Sequence, residues 1–309
     1  MNTESNLKLH HFEPRTVVAP ESTPEMLREL AVPSLESFRS AVEPLAVPPS
    51  YSIRSGMTPV KNQSTGGFCT SFCTLSNLEF VQGKLDLSES CLTHEAESRW
   101  GDCKEGLATV HAYNACKNVG IVPEGDWPYS PVKVCWNPPP NMTGKPRYKF
   151  STFANVYNRP GAKVVENMIG VAQGRIVNFT AMPPQFVRLL KEALVTWAVP
   201  PSIDVPVWWA SDGHFSAGWE SGPDIHMPTK PLIETWLGHQ GISPDEKDAA
   251  RMSPPNVSGW HCISICGYDD TRGRFTFKNS WGPWWGDSGY GTLPYDYVTA
   301  YSRSCFVGK

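Results

Sequence analysis

Apolar residues recur at threes and fours in the first half of the chain and fall into short strand-like runs in the second. Phe72, Leu75, Leu78 and Val81 or Leu85 mark a helix that starts near Cys69 and ends before Gly83 or Lys84. Leu107, Val110, Tyr113 and Cys116 mark a second, stopped by Gly120. Beyond about residue 150 one clear helix remains, with Phe186, Leu189, Leu190, Ala193, Leu194 and Trp197 on a face after Pro183-Pro184. The other signals are β-like: Ser202 to Trp208, His261 to Tyr268, and Arg274 to Trp281. In the last run Phe275, Phe277, Asn279 and Trp281 share one parity, so Asn279 is expected on a buried face among aromatic rings. Helices followed by strands predict an α+β fold of two halves, 51–150 mainly helical and 151–309 mainly β.

The chain of 309 residues is 40% apolar with twelve Trp, enough to fill one large core or two smaller ones. Its formal charge is −3, from 27 basic and 30 acidic residues, and no Lys/Arg-rich run is present, so nothing points to nucleic acid. No apolar stretch approaches the length of a membrane span. The first thirty residues are polar where an export signal would be apolar, which favours a cytoplasmic location and leaves only secretion by another route. Residues 1–50, rich in Pro, Glu, Ser and Val, read as an extension outside the core with a short helix near Met26 to Leu30. Residues 209–260, rich in Gly, Pro and Trp, read as an insertion or functional loop. Trp208, Trp209 and Trp219 there are either core fillers or a substrate-facing wall, and packing is the commoner use of such rings.

Nine cysteines cannot all pair within one chain, so at least one thiol is free. Cys69 stands where a helix begins, after Thr65-Gly66-Gly67-Phe68, and helix N-termini favour the thiolate that attacks acyl carbons. Gln63, six residues upstream, carries an amide suited to an oxyanion. His261 opens a β-like run, and Asn279 on the next run is suited to hold its ring. Nucleophile, base, orienting group and oxyanion donor are thus all present as residue types.

The chain here resembles the papain family of cysteine peptidases. Val60-Lys61-Asn62-Gln63, the Gly/Cys segment through Glu79, Gly120-Ile121 with Glu124, Trp127-Pro128-Tyr129, His261 with Gly267-Tyr268, and Asn279-Ser280-Trp281-Gly282 with Trp285-Gly286 and Gly289-Tyr290 follow in the family's order, over about residues 51 to 298. The resemblance implies a papain-like two-domain fold, a helical half and a β-barrel-like half with an active-site cleft between them. It implies Cys69 as nucleophile, His261 as base and acid, Asn279 as orienting amide, Gln63 as oxyanion-hole side chain and Trp281 as the indole shielding the His–Asn contact. Glu105 and Gly106 fall near the family's paired glycine strip that binds substrate backbone. The family signature is altered: Gly66 stands where a Cys is usual and Thr70 where an aromatic is usual. A register making Cys73 the nucleophile fits the distances from Gln63 and to Glu79 less well than Cys69 does.

The expected activity is endopeptidase cleavage through a thioester, with no cofactor and no metal, a peptide or protein as substrate, and neither nucleic acid nor membrane as partner. Two rivals are another papain-like acyl transfer (amidase, deamidase, isopeptidase or ligase) and an inactive binding or inhibitor module keeping the fold. Residues 1–50 are a candidate propeptide or tail lying over the cleft. Cys91, His94, Cys103 and His111 match no tight metal-ligand spacing. The resemblance suggests bridges among Cys91 or Cys103 and Cys135 in an oxidising compartment, with the pairing open. The sequons at Asn141, Asn178 and Asn256 carry little weight without an export signal.

Overall fold

The computed structural model describes residues 21–33, 46–101, 106–131, 139–158, 164–165, 176–177, 185–207, 217–220, 222–227 and 259–309. Most of the 209–260 stretch, with Trp209, lies outside the described residues, as do Trp208, Glu105, Cys103 and Cys135.

The helical half is built from α1 (Pro24–Glu29), α2 (Cys69–Val81), α3 (Glu89–Trp100) and α4 (Thr109–Asn118). Helix α2 starts at Cys69, as its spacing predicts, and Gly83 just past its end takes φ +78°, a left-handed conformation that glycine adopts without strain. Eleven of its thirteen residues are buried, including Thr70, Ser71, Thr74, Ser76, Asn77 and Glu79. It therefore runs through the middle of the molecule, and its polar side chains need partners there. Helix α3 left no apolar period in the sequence because its buried face carries Glu89, Glu95 and Glu97; its start is set by Ser88, whose hydroxyl accepts from Cys91 N at 3.0 Å. Helix α1 matches the short N-terminal helix read from the sequence, and Met26, Leu27, Leu30 and Val32 pack on the helical core.

The other half is an antiparallel sheet. Its strands are β1 (Ser50–Ser52), β2 (Phe153–Asn158), β5 (Ser202–Val207), β6 (Gly259–Asp269), β7 (Arg274–Lys278), β8 (Tyr290–Pro294) and β9 (Ser304–Gly308), beside a separate hairpin of β3 (Val164–Val165) and β4 (Ile176–Val177). Strand order is β2-β9-β5-β6-β7-β8, with β1 also on β6. Helices α5 (Gln185–Val195) and α6 (Tyr295–Tyr301) pack against it. The sheet is open, not a closed barrel: the outer edge of β8 meets residues 223–225, with Ile225 N donating to Thr292 O at 2.9 Å and Thr292 N to Pro223 O at 2.6 Å, instead of meeting β2.

Eleven-residue β6 organises this half. Along one edge it pairs with β5 from Gly259 to Ser264 and with β1 from Gly267 to Asp269; along the other it pairs with β7 from Ser264 onward. His261 therefore lies beyond the last β7 pair, Ser264 with Lys278. Past Lys278 the chain pairs with residues 61–63 instead, Gln63 N donating to Ser280 O at 2.8 Å and Gly282 N to Lys61 O at 3.1 Å, and the Trp281 ring stacks on His261. The strand read from Arg274 to Trp281 thus ends at Lys278, and its last three residues are spent on the site.

Each half has its own apolar core, and a buried polar knot joins them. Asn77 on α2 donates to Tyr113 Oη (2.9 Å) on α4 and to Ser202 Oγ (2.6 Å) on β5, and accepts from Ser264 Oγ on β6. Tyr113 stacks between Phe150 and Phe306. Asn77→Ala removes three buried hydrogen bonds at once, leaving Tyr113 Oη and Ser202 Oγ bonded to each other and Ser264 Oγ without its amide acceptor, and we expect it to lower stability by about 3 kcal/mol in urea unfolding, a loss well above that of an exposed polar residue.

Candidate active site

Cys69 is the first residue of α2, where helical N–H groups have no intrahelical acceptor, and Phe68 before it supplies no side-chain cap. The positive end of the helix dipole therefore lies at Cys69. The backbone N–H of Cys262 also interacts with the thiol. Cys69 is nevertheless wholly buried, and burial pushes its thiol up to about 12 against the pull of that N–H.

His261 Nε2 donates to Asn279 Oδ1 at 2.7 Å. With that nitrogen protonated, Nδ1 carries the basic lone pair, and among the described residues it has no hydrogen-bond partner. The imidazole lies on Trp281, centroids 4.6 Å apart and planes 24° from parallel, while Trp219 meets it edge-on at 6.0 Å. Burial among these rings drives His261 down to about 4, only partly opposed by Asn279. Asn279 is fixed through its backbone, donating to Gly289 O at 3.0 Å, and its Oδ1 also accepts Ser280 N at 2.8 Å.

Gln63 is tied to the same segment. Its N–H donates to Ser280 O (2.8 Å), its Oε1 accepts from Ser280 Oγ (2.5 Å), and Tyr129 Oη donates to its carbonyl (2.6 Å). Nε2 gives one hydrogen to Gly66 O at 2.9 Å, leaving a second on the same amide. Gly66 belongs to the turn that delivers Cys69. Gly106 is buried with φ +93° three residues before Thr109, whose Oγ1 bonds buried Asp204 (2.9 Å) and reaches Cys262 Sγ at 4.0 Å.

Sequence reasoning undervalued two contributors. Trp219, weighed as filler or wall, is fully buried against His261, Trp281 and Trp285, and it donates to Tyr297 Oη (3.1 Å). Lys278, beside Asn279, is buried and donates to Thr58 Oγ1 (2.9 Å), which donates to Glu79 Oε2 (2.5 Å). A lysine inside an aromatic strand was the available signal. Cys91 is a free, buried thiol, as are Cys73, Cys116, Cys262, Cys266 and Cys305.

No family model matches the chain. Over 88 residues, 24% of this chain, it is 34% identical to cysteine proteinase 1 of Dictyostelium discoideum, and it spans about a quarter of that relative's length. The fold superposes on xylellain, a cysteine protease from Xylella fastidiosa, with a TM-score of 0.58 at 19% identity, covering 85% of this chain and 87% of that one. The fold is papain-like. It also matches the Carica candamarcensis cysteine protease CMS1MS2 (TM-score 0.53, 17% identity, 85% and 99% coverage) and digestive procathepsin L 3 of Tenebrio molitor larval midgut (0.53, 17%, 92% and 78%).

Within this papain-like frame His261 is a pH-linked group. Its folded value near 4 lies below its ordinary 6.5, so between those values the unfolded chain binds more protons than the folded one. The resulting stability is complete above pH 6.5 and lost as pH falls toward 4, by about 3 kcal/mol. Urea unfolding of the wild type and His261→Gln at pH 7 and pH 4 should show the variant losing less stability by that amount; equal losses would contradict a buried neutral imidazole.

Proposed function

We propose that the protein is a cysteine endopeptidase that cleaves peptide bonds through a thioester on Cys69. The observation that carries this reading is the His261–Asn279 bond under Trp281, with Nδ1 left as a free base, beside a cysteine at a helix N-terminus. In the proposed cycle His261 Nδ1 takes the Cys69 proton and the thiolate attacks the substrate carbonyl. The Cys69 backbone N–H and the second Gln63 N–H hold the oxyanion. His261 then protonates the leaving amine, and water, deprotonated by the same nitrogen, hydrolyses the thioester. Xylellain and CMS1MS2 are described as cysteine proteases, which favours hydrolysis over ligation or deamidation.

Neither Cys69 nor His261 has exposed surface, and burial holds both neutral, so this conformation is a resting one that must open to admit substrate. The N-terminal segment is the candidate cover. Ser22 Oγ accepts Val110 N (3.1 Å) in the first turn of α4, one residue from the Thr109 hydroxyl that reaches Cys262 Sγ. Two of the solved structures of this fold are proforms, procathepsin L 3 and the ragweed allergen Amb a 11.

Cys69→Ala should abolish peptide cleavage and covalent labelling by an epoxide thiol trap; labelling that persists would move the nucleophile to Cys73. Gln63→Ala should retain labelling and lower kcat by about a hundredfold, the usual scale for one oxyanion donor. A chain beginning near Pro48 should cleave faster than the full chain, and equal rates of the two folded proteins would sink the cover.

A further inference from the structure

Cys69 is not the only sulfur at the site. Cys73 lies one helical turn further along α2, on the same face, and Cys262 follows His261 on β6. Both are almost wholly buried, at 4% and 2% exposure. Across the junction of the two halves Cys73 acts on the Cys262 thiol and raises its pKa. Cys73 also contacts Ser202 Oγ at 3.2 Å and Cys262 contacts Thr109 Oγ1 at 4.0 Å. Both thiols line a cavity of about 10 Å³ whose walls include Lys61, Glu79, Lys278 and Asn279. That is room for one water-sized molecule between polar groups, and hydrogen peroxide is little larger. The other free thiols among the described residues do not line this cavity.

We propose that Cys73 and Cys262 form a reversible disulfide, a redox latch that locks α2 to β6 directly behind Cys69 and His261. Peroxide is the oxidant. The Cys73 sulfur attacks one peroxide oxygen, the O–O bond breaks, and the departing hydroxide takes the thiol proton to leave as water. Cys73 is then a sulfenic acid. The Cys262 sulfur attacks it, the S–S bond forms, the S–O bond breaks and a second water leaves with the Cys262 proton. Two thiols and one peroxide thus give one disulfide and two waters, and a dithiol returns two electrons and two protons. Burial and the neighbouring Cys73, Asp204 and Cys69 make Cys262 hold its proton tightly.

An S–S bond of roughly 2.05 Å is shorter than any separation of two free thiols, so closing it draws β6 and the first turns of α2 together. The Cys262 N–H that meets Cys69 and the neighbouring His261 move with it. The predicted loss of activity rests on the catalytic reading of Cys69 and His261; the bridge does not.

The test is a non-reducing tryptic map of the full chain after hydrogen peroxide and thiol capping. Fragment 62–84 should be joined to fragment 252–272, with fragment spectra assigning the bond to Cys73 and Cys262. The same link should form in Cys69→Ser and vanish in Cys262→Ser. Peptide cleavage by the wild type should fall at least tenfold on oxidation and recover with dithiothreitol. A wild-type map in which Cys69 is oxidised while Cys73 and Cys262 stay free, or a bridge that starts from Cys69, overturns the latch. A Cys73–Cys262 bridge that forms without changing cleavage overturns its control of activity. The wild-type and Cys69→Ser maps decide the bridge even where Cys262→Ser fails to fold, and a protein with no cleavage at all would fail the catalytic reading alone.

Discussion

Buried charge holds the site together. Lys61 Nζ contacts Glu79 (2.9 Å), Glu89 (2.8 Å) and Asp86 (2.7 Å), while Lys278 reaches the same Glu79 through Thr58. Lys61 stands two residues before Gln63, Glu79 lies on the helix that begins with Cys69, and Lys278 immediately precedes Asn279. One knot therefore sets the relative positions of three chain segments distant in sequence. Burial would lower Lys61, but Glu89 and Glu79 outweigh it and raise its pKa, so it stays charged. Glu89 moves up to about 8 despite that partner, because burial dominates and the single ammonium is shared among three carboxylates. Lys278, with no direct carboxylate contact among the described residues, is pushed down to about 8 by burial. Buried charges of this kind are worth more in geometry than in stability, since desolvation offsets most of the attraction.

Around His261 the constraint is aromatic instead of ionic. Trp281 covers one face of the ring, Trp219 closes its edge, and Trp285 donates to Trp219 O at 2.8 Å while packing against Trp281 and Phe277. The enclosure excludes water from the His261–Asn279 bond, which strengthens it, and the same low dielectric keeps the imidazole neutral. A dry base and a dry thiol are stable together only while uncharged. Charging either group is then linked electrostatically to admitting water around it.

Elements with an uninterrupted local period were legible: α2, α4 and α5, and strands β5, β6 and β7 to within a few residues. Helix α3 was not, because its inward face is polar and its partners, Lys61 and Arg147, come from elsewhere in the chain. Strands β8 and β9 were missed for a related reason. Both are five residues long, and every residue of β9 is buried, so no alternation is left to read.

The residue types of the site and their order are readable in the sequence, where spacing to Gln63 and Glu79 favours Cys69 over Cys73 as the candidate nucleophile. The tertiary structure decided what spacing cannot: that Asn279 meets Nε2 and leaves Nδ1 free, that Trp219 seals the ring, and that Cys73 and Cys262 share a cavity. These depend on the register of β6 against β7 and on the depth of α2 between the halves. Such contacts join residues up to about two hundred positions apart, and no period in the chain encodes them.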